Sequence, residues 1–275
     1  DHDRNFVRHE LIPLLETRWP GVSKRLLLTR KAMTEARKLL EQLADAYLAD
    51  NLVDALVLKV APESEKNPEL LKLAIRRWIK RSGPPSKPSY MNESFCQQLN
   101  QVKLNRARSN HKIAIRWAGW IIHLYKQQLW LHEDREIQPC PTINWEDAQA
   151  ELDLGSDCGR IVLEGPEPSI PAGKFSVSCR SHTDLGTIMQ GGHHRNLKNL
   201  FQAAEVPPWL RDCVPLCELD GELVAMGDWC IDDYFSAWLR NRDIILRWRP
   251  ENPLLKFVQA HQIANPDISP DGLES

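Results

Sequence analysis

The sequence predicts an α+β fold, in which a mainly helical domain with a small β meander precedes a smaller mixed α/β domain. Three observations support this. Apolar residues recur at helical spacing before residue 105, they alternate with polar residues from residue 112, and Asp220-Gly221 separates two short apolar runs as a hairpin signal. The 275 residues suffice for two domains, each with its own core.

Helical periodicity dominates the first half of the chain. Helices are predicted over residues 5–19, 23–50, 68–81 and 90–104. Pro13 is expected to kink the first of them or to start it anew, because proline has no backbone N–H to donate. Ser23 follows the stop signal Trp19-Pro20-Gly21 and is the expected N-cap of the long second helix.

Strand patterns follow. A β meander is predicted from runs at residues 112–117, 120–125 and 128–131. Further strands are predicted over residues 160–163, 175–180, 214–219, 222–226 and 244–248. A short amphipathic helix is predicted over 194–205, and the tail after residue 258 is expected to be loose. The resulting domain prediction is a junction segment (1–20), a helical domain (21–132), an acidic, Pro-rich linker (133–172) and a carboxy-terminal α/β domain (173–275).

Charge is divided unevenly between the two halves. Residues 1–135 hold 24 Lys and Arg against 15 Asp and Glu, whereas residues 136–275 hold 11 against 22. The net charge of −2 is therefore the sum of a basic unit and an acidic one. Nucleic acid is the first candidate partner of the basic unit. No run of 18 apolar residues predicts a membrane span, and seven scattered cysteines favour a reduced, cytoplasmic compartment over a disulfide framework.

Two groups of cations are the candidates for binding RNA phosphates. Arg4 and Arg8 are four residues apart and would share a helix face, where guanidinium groups can fork onto phosphates. The second group is the basic face of the 68–81 helix, which includes Arg76 and Arg77. Similar charge on the 23–50 helix comes from Lys24, Arg25, Arg30, Lys31, Arg37 and Lys38. The alternatives are salt bridges with neighbouring acidic residues for the first group, and an ordinary solvated helix face for the second.

Three blocks of sequence resemble the tRNA(Ile)-lysidine synthetase family. Residues 3–8 read Asp-Arg-Asn-Phe-x-Arg and are followed by Pro-Leu-Leu-x-x-Arg-Trp-Pro at 13–20. The second block runs from Arg-Arg-Trp at 76–78 through Lys-Pro-Ser at 87–89 to Tyr-x-x-Gln-Leu-Trp at 125–130. The third joins Arg-x-Leu-Lys-x-Leu-x-Gln at 195–202 to Val-Pro-Pro-Trp-Leu-Arg-Asp-x-x-Pro-Leu at 206–216, the most specific string.

The resemblance implies an ATP-dependent ligase of tRNA modification. Such enzymes attach the side-chain amine of lysine to the wobble cytidine of the isoleucine tRNA with a CAU anticodon, which changes codon reading from AUG to AUA. The family's ATP site is a Ser-Gly-Gly-x-Asp-Ser loop in an amino-terminal catalytic domain, and this sequence contains no such loop. The resemblance therefore implies the tRNA-binding domains alone, with tRNA as partner, ATP and lysine bound outside this chain, and a homodimer as one alternative for the oligomeric state.

The resemblance also selects candidate tRNA-binding residues. They are Arg4, Asn5, Arg8, Arg76, Arg77, Arg195, Lys198 and Arg211. Asn196 and Asn199 stand where the family commonly has lysines, which weakens the expected contact with the acceptor end of the tRNA. Trp209 is predicted to fill a core position rather than to stack on a base.

No catalytic residue or metal site is predicted in the chain. His193, His194, Cys213 and Cys217 lack the spacing of a zinc site. The adjacent pairs Glu133-Asp134 and Asp232-Asp233 are interpreted as solvated loop charges rather than as an acid/base pair. Two other functions stay open: a stand-alone RNA-binding adaptor without catalysis, and a helical scaffold whose basic face meets an acidic protein. A Ser-Gly-Gly-x-Asp-Ser sequence encoded upstream in frame would favour the enzyme over the adaptor.

Overall fold

The computed structural model describes residues 2–61, 67–82, 113–117, 119–146, 151–183 and 186–263. They divide into two compact units, one within 1–118 and 122–131 and the other within 119–121 and 132–275. The mixed α+β class predicted from the sequence is confirmed, since both units combine helices with antiparallel strand pairs. The predicted helix over 90–104 lies outside the described residues.

The first unit is built from helices followed by a five-stranded sheet. Its helices are α1 (His2–Phe6), α2 (Ile12–Arg18), α3 (Val22–Asn51) and α4 (Pro68–Ser82). Its strands are β1 (Leu52–Asp54), β2 (Val57–Lys59), β3 (Ile113–Trp117), β4 (Trp120–Tyr125) and β5 (Gln128–Glu133), in the order β1-β2-β5-β4-β3. The predicted long helix, the 68–81 helix and the meander are thereby confirmed.

The break predicted near Pro13 is a π-helical turn over Val7–Leu11, which lies between α1 and α2. Pro13 stands at the start of α2, where its missing N–H costs least. The prediction that Ser23 caps α3 is wrong. The carboxylate of Glu16 instead accepts hydrogen bonds from the backbone N–H groups of Gly21 (2.7 Å) and Ser23 (2.9 Å), so α2 supplies the cap of α3.

The core of the first unit lies between α4, the end of α3 and the sheet. Trp78 and Ile75 of α4 pack there with Leu48 of α3 and Leu58 of β2, and all four are fully buried. The indole N–H of Trp78 donates to the carbonyl of Ala55 at 2.7 Å, which fixes the turn between β1 and β2. Toward its amino end, α3 leaves large apolar side chains exposed within this unit, among them Leu26, Leu27, Leu28, Met33, Leu39, Leu40 and Leu43.

The described residues of the second unit form antiparallel strands and three α-helices. The strands are β6 (Ile143–Asn144), β7 (Glu151–Asp153), β8 (Arg160–Glu164), β9 (Phe175–Ser178), β10 (Thr187–Gln190), β11 (His193–Asn196), β12 (Leu216–Leu219), β13 (Glu222–Met226), β14 (Cys230–Ile231) and β15 (Ile245–Arg249). The helices are α5 (Leu197–Ala203), α6 (Asp233–Arg240) and α7 (Pro253–Ile263). A 3₁₀ helix, Pro208–Cys213, precedes β12.

These strands form three sheets. Their orders are β14-β13-β12-β9-β6, β15-β8-β7 and β10-β11. The hairpin predicted at Asp220-Gly221 is present between β12 and β13, and both of its turn residues have positive φ (52° and 87°), as a type I′ turn requires. Segment 133–172, predicted as a linker with one strand at 160–163, contains that strand as β8 and also contributes β6 and β7, so it belongs to two of the sheets. Helix α7 extends five residues into the tail predicted to be loose.

A buried carboxylate connects distant segments of the second unit. Asp157 has an exposed fraction of 0%. Its oxygens accept hydrogen bonds from the guanidinium of Arg135 (2.7 and 2.6 Å), the backbone N–H of Gln138 (2.9 Å) and the side-chain amide of Asn252 (3.0 Å). Burial alone would raise the pKa of Asp157, but these donors outweigh burial and hold that pKa below its usual range.

We expect Asp157→Ala to lower the free energy of unfolding by about 2–4 kcal/mol, because the buried donors of Gln138 and Asn252 lose their acceptor. Urea unfolding checks this. Arg160→Ala is the control, since it removes only exposed ion pairs, with Glu151 and Glu251, and should cost less than about 1 kcal/mol.

The same contribution depends on pH in a defined direction. Because the pKa of Asp157 is lower in the folded than in the unfolded state, its stabilisation is complete above the ordinary aspartate pKa, near 3.8. It is lost as the pH falls through the lower folded-state value. The stability difference between wild type and Asp157→Ala should therefore narrow in strong acid, and a difference that stays constant would contradict this role.

Candidate nucleic-acid interface

The amino-terminal candidates lie in the helical segment before α3. Arg4 and Asn5 belong to α1 and Arg8 to the π-helical turn, and all three are exposed. Because the wider turn begins at Val7, Arg4 and Arg8 do not lie on one uninterrupted α-helix, as the four-residue spacing predicted. Both guanidinium groups are nevertheless accessible to a phosphate.

Arg76 and Arg77 are adjacent in α4 but differ in their surroundings. Arg77 binds the carboxylate of Asp45 in α3 through Nε (2.7 Å) and Nη2 (3.0 Å), and Arg81 reaches the same carboxylate at 2.8 Å. These contacts lower the pKa of Asp45, chiefly through the hydrogen bonds of Arg77. Arg76 is exposed and makes no ion pair within 4 Å among the described residues. Arg77 therefore joins α3 to α4, whereas Arg76 is available to a ligand.

The amino-terminal part of α3 presents further cations to solvent. Arg37 pairs with Glu41 at 3.2 Å. Arg25 donates to the carbonyl of Pro20 at 2.9 Å. The four remaining exposed cations of this helix form no ion pair within 4 Å to any residue that the structure describes: Lys24, Arg30, Lys31 and Lys38. We call these four residues the α3 cations. The sequence places them, together with Arg25 and Arg37, among the cations of the 23–50 helix that could meet an RNA backbone, and the structure distinguishes the unpaired cations from the others.

In the second unit, Arg195 and Lys198 lie on either side of the start of α5. Arg195 is in β11 and Lys198 in the first turn of the helix, and both are exposed. Asn196, between them, is the N-cap, since its side chain accepts the backbone N–H of Lys198 at 2.9 Å. The predicted helix over 194–205 therefore begins later, at Leu197, because residues 193–196 pair with β10.

The turn between β10 and β11 is held by α6. Gly191 and Gly192 both have positive φ, and their backbone N–H groups donate to the two oxygens of Asp233 at 2.9 and 2.8 Å. These bonds lower the pKa of Asp233. Asp232 is the N-cap of α6, where it accepts from the N–H of Tyr234 at 2.8 Å. The interpretation of this acidic pair as solvated loop charges is therefore corrected, while Glu133 and Asp134 are exposed as expected.

The structure does not support Arg211 as a surface contact. Its exposed fraction is 9%, its Nε donates to the carbonyl of Val206 at 3.1 Å, and its guanidinium lies 5.7 Å from the centre of the Phe201 ring. The 3₁₀ helix turns this side chain inward, which the sequence alone does not reveal. Trp209 in the same helix is half-buried.

The residues considered for metal binding do not converge. Cys213 and Cys217 are buried, and burial contributes to raising the pKa of both thiols. His193 and His194 are exposed on β11. Within the described ranges, no group of three or more His, Cys, Asp or Glu residues could hold a metal ion. The helices described here include none with the length and apolar character needed to cross a membrane.

Comparisons with known proteins agree with the sequence motifs. Residues 175–248 match the family model described as the TilS substrate C-terminal domain. The chain is 29% identical over 266 residues to the tRNA(Ile)-lysidine synthase of Methylococcus capsulatus, covering 90% of this chain and 57% of that protein. It is 28% identical over 248 residues to the synthase of Xanthomonas axonopodis pv. citri (90% and 55%) and 29% identical over 249 residues to that of Coxiella burnetii (86% and 52%).

The resemblance to the tRNA(Ile)-lysidine synthetase family is therefore confirmed. The chain spans about half the length of the curated relatives it matches.

We expect Arg77→Ala to lower the midpoint of thermal unfolding, because the contact between α3 and α4 is lost. Arg76→Ala, a matched change one residue away, should shift the midpoint by less than about 2 °C, since Arg76 is exposed and unpaired. Differential scanning calorimetry measures both. Equal shifts for the two variants would contradict the distinction between a structural and an available arginine.

Proposed function

We propose that this chain is the tRNA-binding part of a tRNA(Ile)-lysidine synthetase. The observation that carries the proposal is the set of α3 cations, exposed and unpaired, in a chain similar to tRNA(Ile)-lysidine synthases over about nine tenths of its length. Unpaired lysines and arginines on a helix bind an RNA backbone by replacing its counterions, and they read its shape rather than its base sequence.

In the proposed enzyme, ATP would convert the C2 carbonyl oxygen of the wobble cytidine into a leaving group. The side-chain amine of lysine would bond to C2 as the C2–O bond breaks, and the oxygen would depart with the AMP portion of ATP. The substrate is the isoleucine tRNA with a CAU anticodon. We assign ATP and lysine to a part of the enzyme outside these residues, because the chain holds no Ser-Gly-Gly-x-Asp-Ser loop. The chain's own role is to hold the tRNA so that the wobble base reaches the reacting groups. A tRNA substrate agrees with the predicted cytoplasmic location. The homodimer stays a prediction.

Besides the α3 cations, the proposed contacts come from three places. Arg4, Asn5 and Arg8 present polar groups before α3, and Arg76 adds an exposed cation on α4. Arg195 and Lys198 supply the contact of the second unit. Arg77 and Arg211 are left out of the proposed interface, because one is bound to Asp45 and the other is buried.

The α3 cations should determine how strongly tRNA binding depends on salt. For the 275-residue chain, we expect the logarithm of the association constant for isoleucine tRNA to fall linearly with the logarithm of salt concentration. The double variant Lys31→Gln/Lys38→Gln should reduce the magnitude of the slope by about 2, one unit for each phosphate contact. Filter binding across a salt series gives the slope.

Lys256→Gln is the matched control, since Lys256 is exposed but pairs with Glu251 at 3.6 Å. Its slope should equal that of the wild type. Absence of salt-dependent tRNA binding in the wild-type chain would refute the proposal, and binding of an acidic protein that tRNA does not displace would favour the scaffold.

Arg4→Ala together with Arg8→Ala should weaken tRNA binding while leaving the thermal midpoint unchanged, because both side chains are exposed. The midpoint measurement separates lost contact from lost folding. Binding equal to that of the wild type at every salt concentration would remove both residues from the interface.

A further inference from the structure

One side of α6 carries aromatic rings at helical spacing. Tyr234 is 68% exposed, and Trp238 follows four residues later on the same face. The ring of Trp238 stacks on Phe235 of the core, with centroids 6.0 Å apart and planes inclined by 26°. The guanidinium of Arg242 lies 4.4 Å from the centre of the Trp238 ring. The aromatic surface is therefore fixed to the core through Phe235, and Arg242 adds a cation to it.

Cations surround this surface although the second half of the chain is acidic. Arg195, Arg240 and Arg242 are exposed, and none of the three forms an ion pair within 4 Å to another described residue. By contrast, Arg160 and Arg249 of the neighbouring strands bind Glu151 and Glu164. Arginines of β8 and β15 are therefore paired with carboxylates, whereas Arg195 of β11 and the arginines at the end of α6 are not.

The glycine turn places β11 beside this surface. Asp233, the residue before Tyr234, binds both N–H groups of the turn, and β11 carries Arg195 three residues beyond Gly192. Arg195 and Arg240 both lie close enough to contribute to the low pKa of Asp233. The carboxylate of Asp233 therefore binds the β10–β11 hairpin to the start of α6, so that the two belong to one surface.

We propose that Tyr234, Trp238, Arg195, Arg240 and Arg242 form a platform that binds unpaired nucleotides of an RNA strand. Bases stack on the exposed face of Tyr234 and against the Arg242 guanidinium, while Arg195 and Arg240 meet the phosphates. Base-paired RNA hides its base faces within the helix and offers only its phosphates here. The proposal rests on RNA being the ligand of the chain and adds that the second unit distinguishes unpaired from paired strands.

The test compares a fluorescein-labelled mixed-sequence RNA octamer, single-stranded or annealed to its complement, by fluorescence anisotropy with the 275-residue chain. The wild type should bind the single strand more tightly than the duplex. Tyr234→Ala should weaken binding of the single strand about tenfold and leave duplex binding unchanged. Tyr234→Phe keeps the ring and should restore binding. Arg247→Ala should match the wild type, because Arg247 lies near Glu164 and outside the platform.

Tyr234 is exposed, so its replacement is expected to leave the thermal midpoint unchanged, and this is measured alongside. Single-strand binding by Tyr234→Ala equal to that of the wild type would overturn the proposal. So would an equal loss for the single strand and the duplex. If the wild-type chain shows salt-dependent tRNA binding but no preference for the single strand, the platform alone fails. If it binds the octamer through Tyr234 but not tRNA, the proposed function fails and the platform stands.

Discussion

A fully buried carboxylate joins three separated stretches of the second unit. Asp157 receives donors from Arg135 and Gln138 on the amino-terminal side and from Asn252 at the start of α7. The next residue, Cys158, accepts the indole N–H of Trp248 at 2.7 Å, which attaches β15 to the same point. Gly159 follows with a positive φ, and a Cβ there would collide with the carbonyl oxygen of Arg249. The buried charge of Asp157 is tolerated because both of its oxygens accept hydrogen bonds. The position of β15, the strand that follows α6, depends on this cluster through Trp248 and Arg249.

The basic residues of the chain fall into two classes, those bound within the fold and those that are exposed and unpaired. Arg77 is bound to Asp45, and Arg211 is buried against Phe201 and Val206. Such groups stabilise the fold and have little left to offer a ligand. The α3 cations and the arginines around α6 lack acidic partners within the described residues, so their charge can act on a polyanion. The positive net charge of residues 1–135 predicted the α3 cations, whereas the negative net charge of residues 136–275 gave no sign of the arginines around α6.

Local sequence signals were sufficient for elements whose stability comes from nearby residues. The periodicity of α3 and α4 and the Asp220-Gly221 turn predicted helices and a hairpin that the structure contains. Strands β6 and β7 were missed because they have only two and three residues, too few to show a period of two, and β6 pairs with β9, which is distant in sequence. The cap supplied by Glu16 and the inward turn of Arg211 likewise arise from contacts between elements, which spacing along the chain does not encode. The sequence predicted that the candidate site is cationic. It did not predict which cations are bound within the fold and which are available to a ligand.

We propose that the exposed, unpaired cations of α3 contact tRNA. Lysine acetylation in the presence and absence of isoleucine tRNA, read out for each lysine by mass spectrometry, tests it most directly. We expect tRNA to slow acetylation of Lys24, Lys31 and Lys38, while Lys256, which is also exposed but pairs with Glu251, reacts at an unchanged rate. Equal acetylation of the three α3 lysines with and without bound tRNA would contradict it.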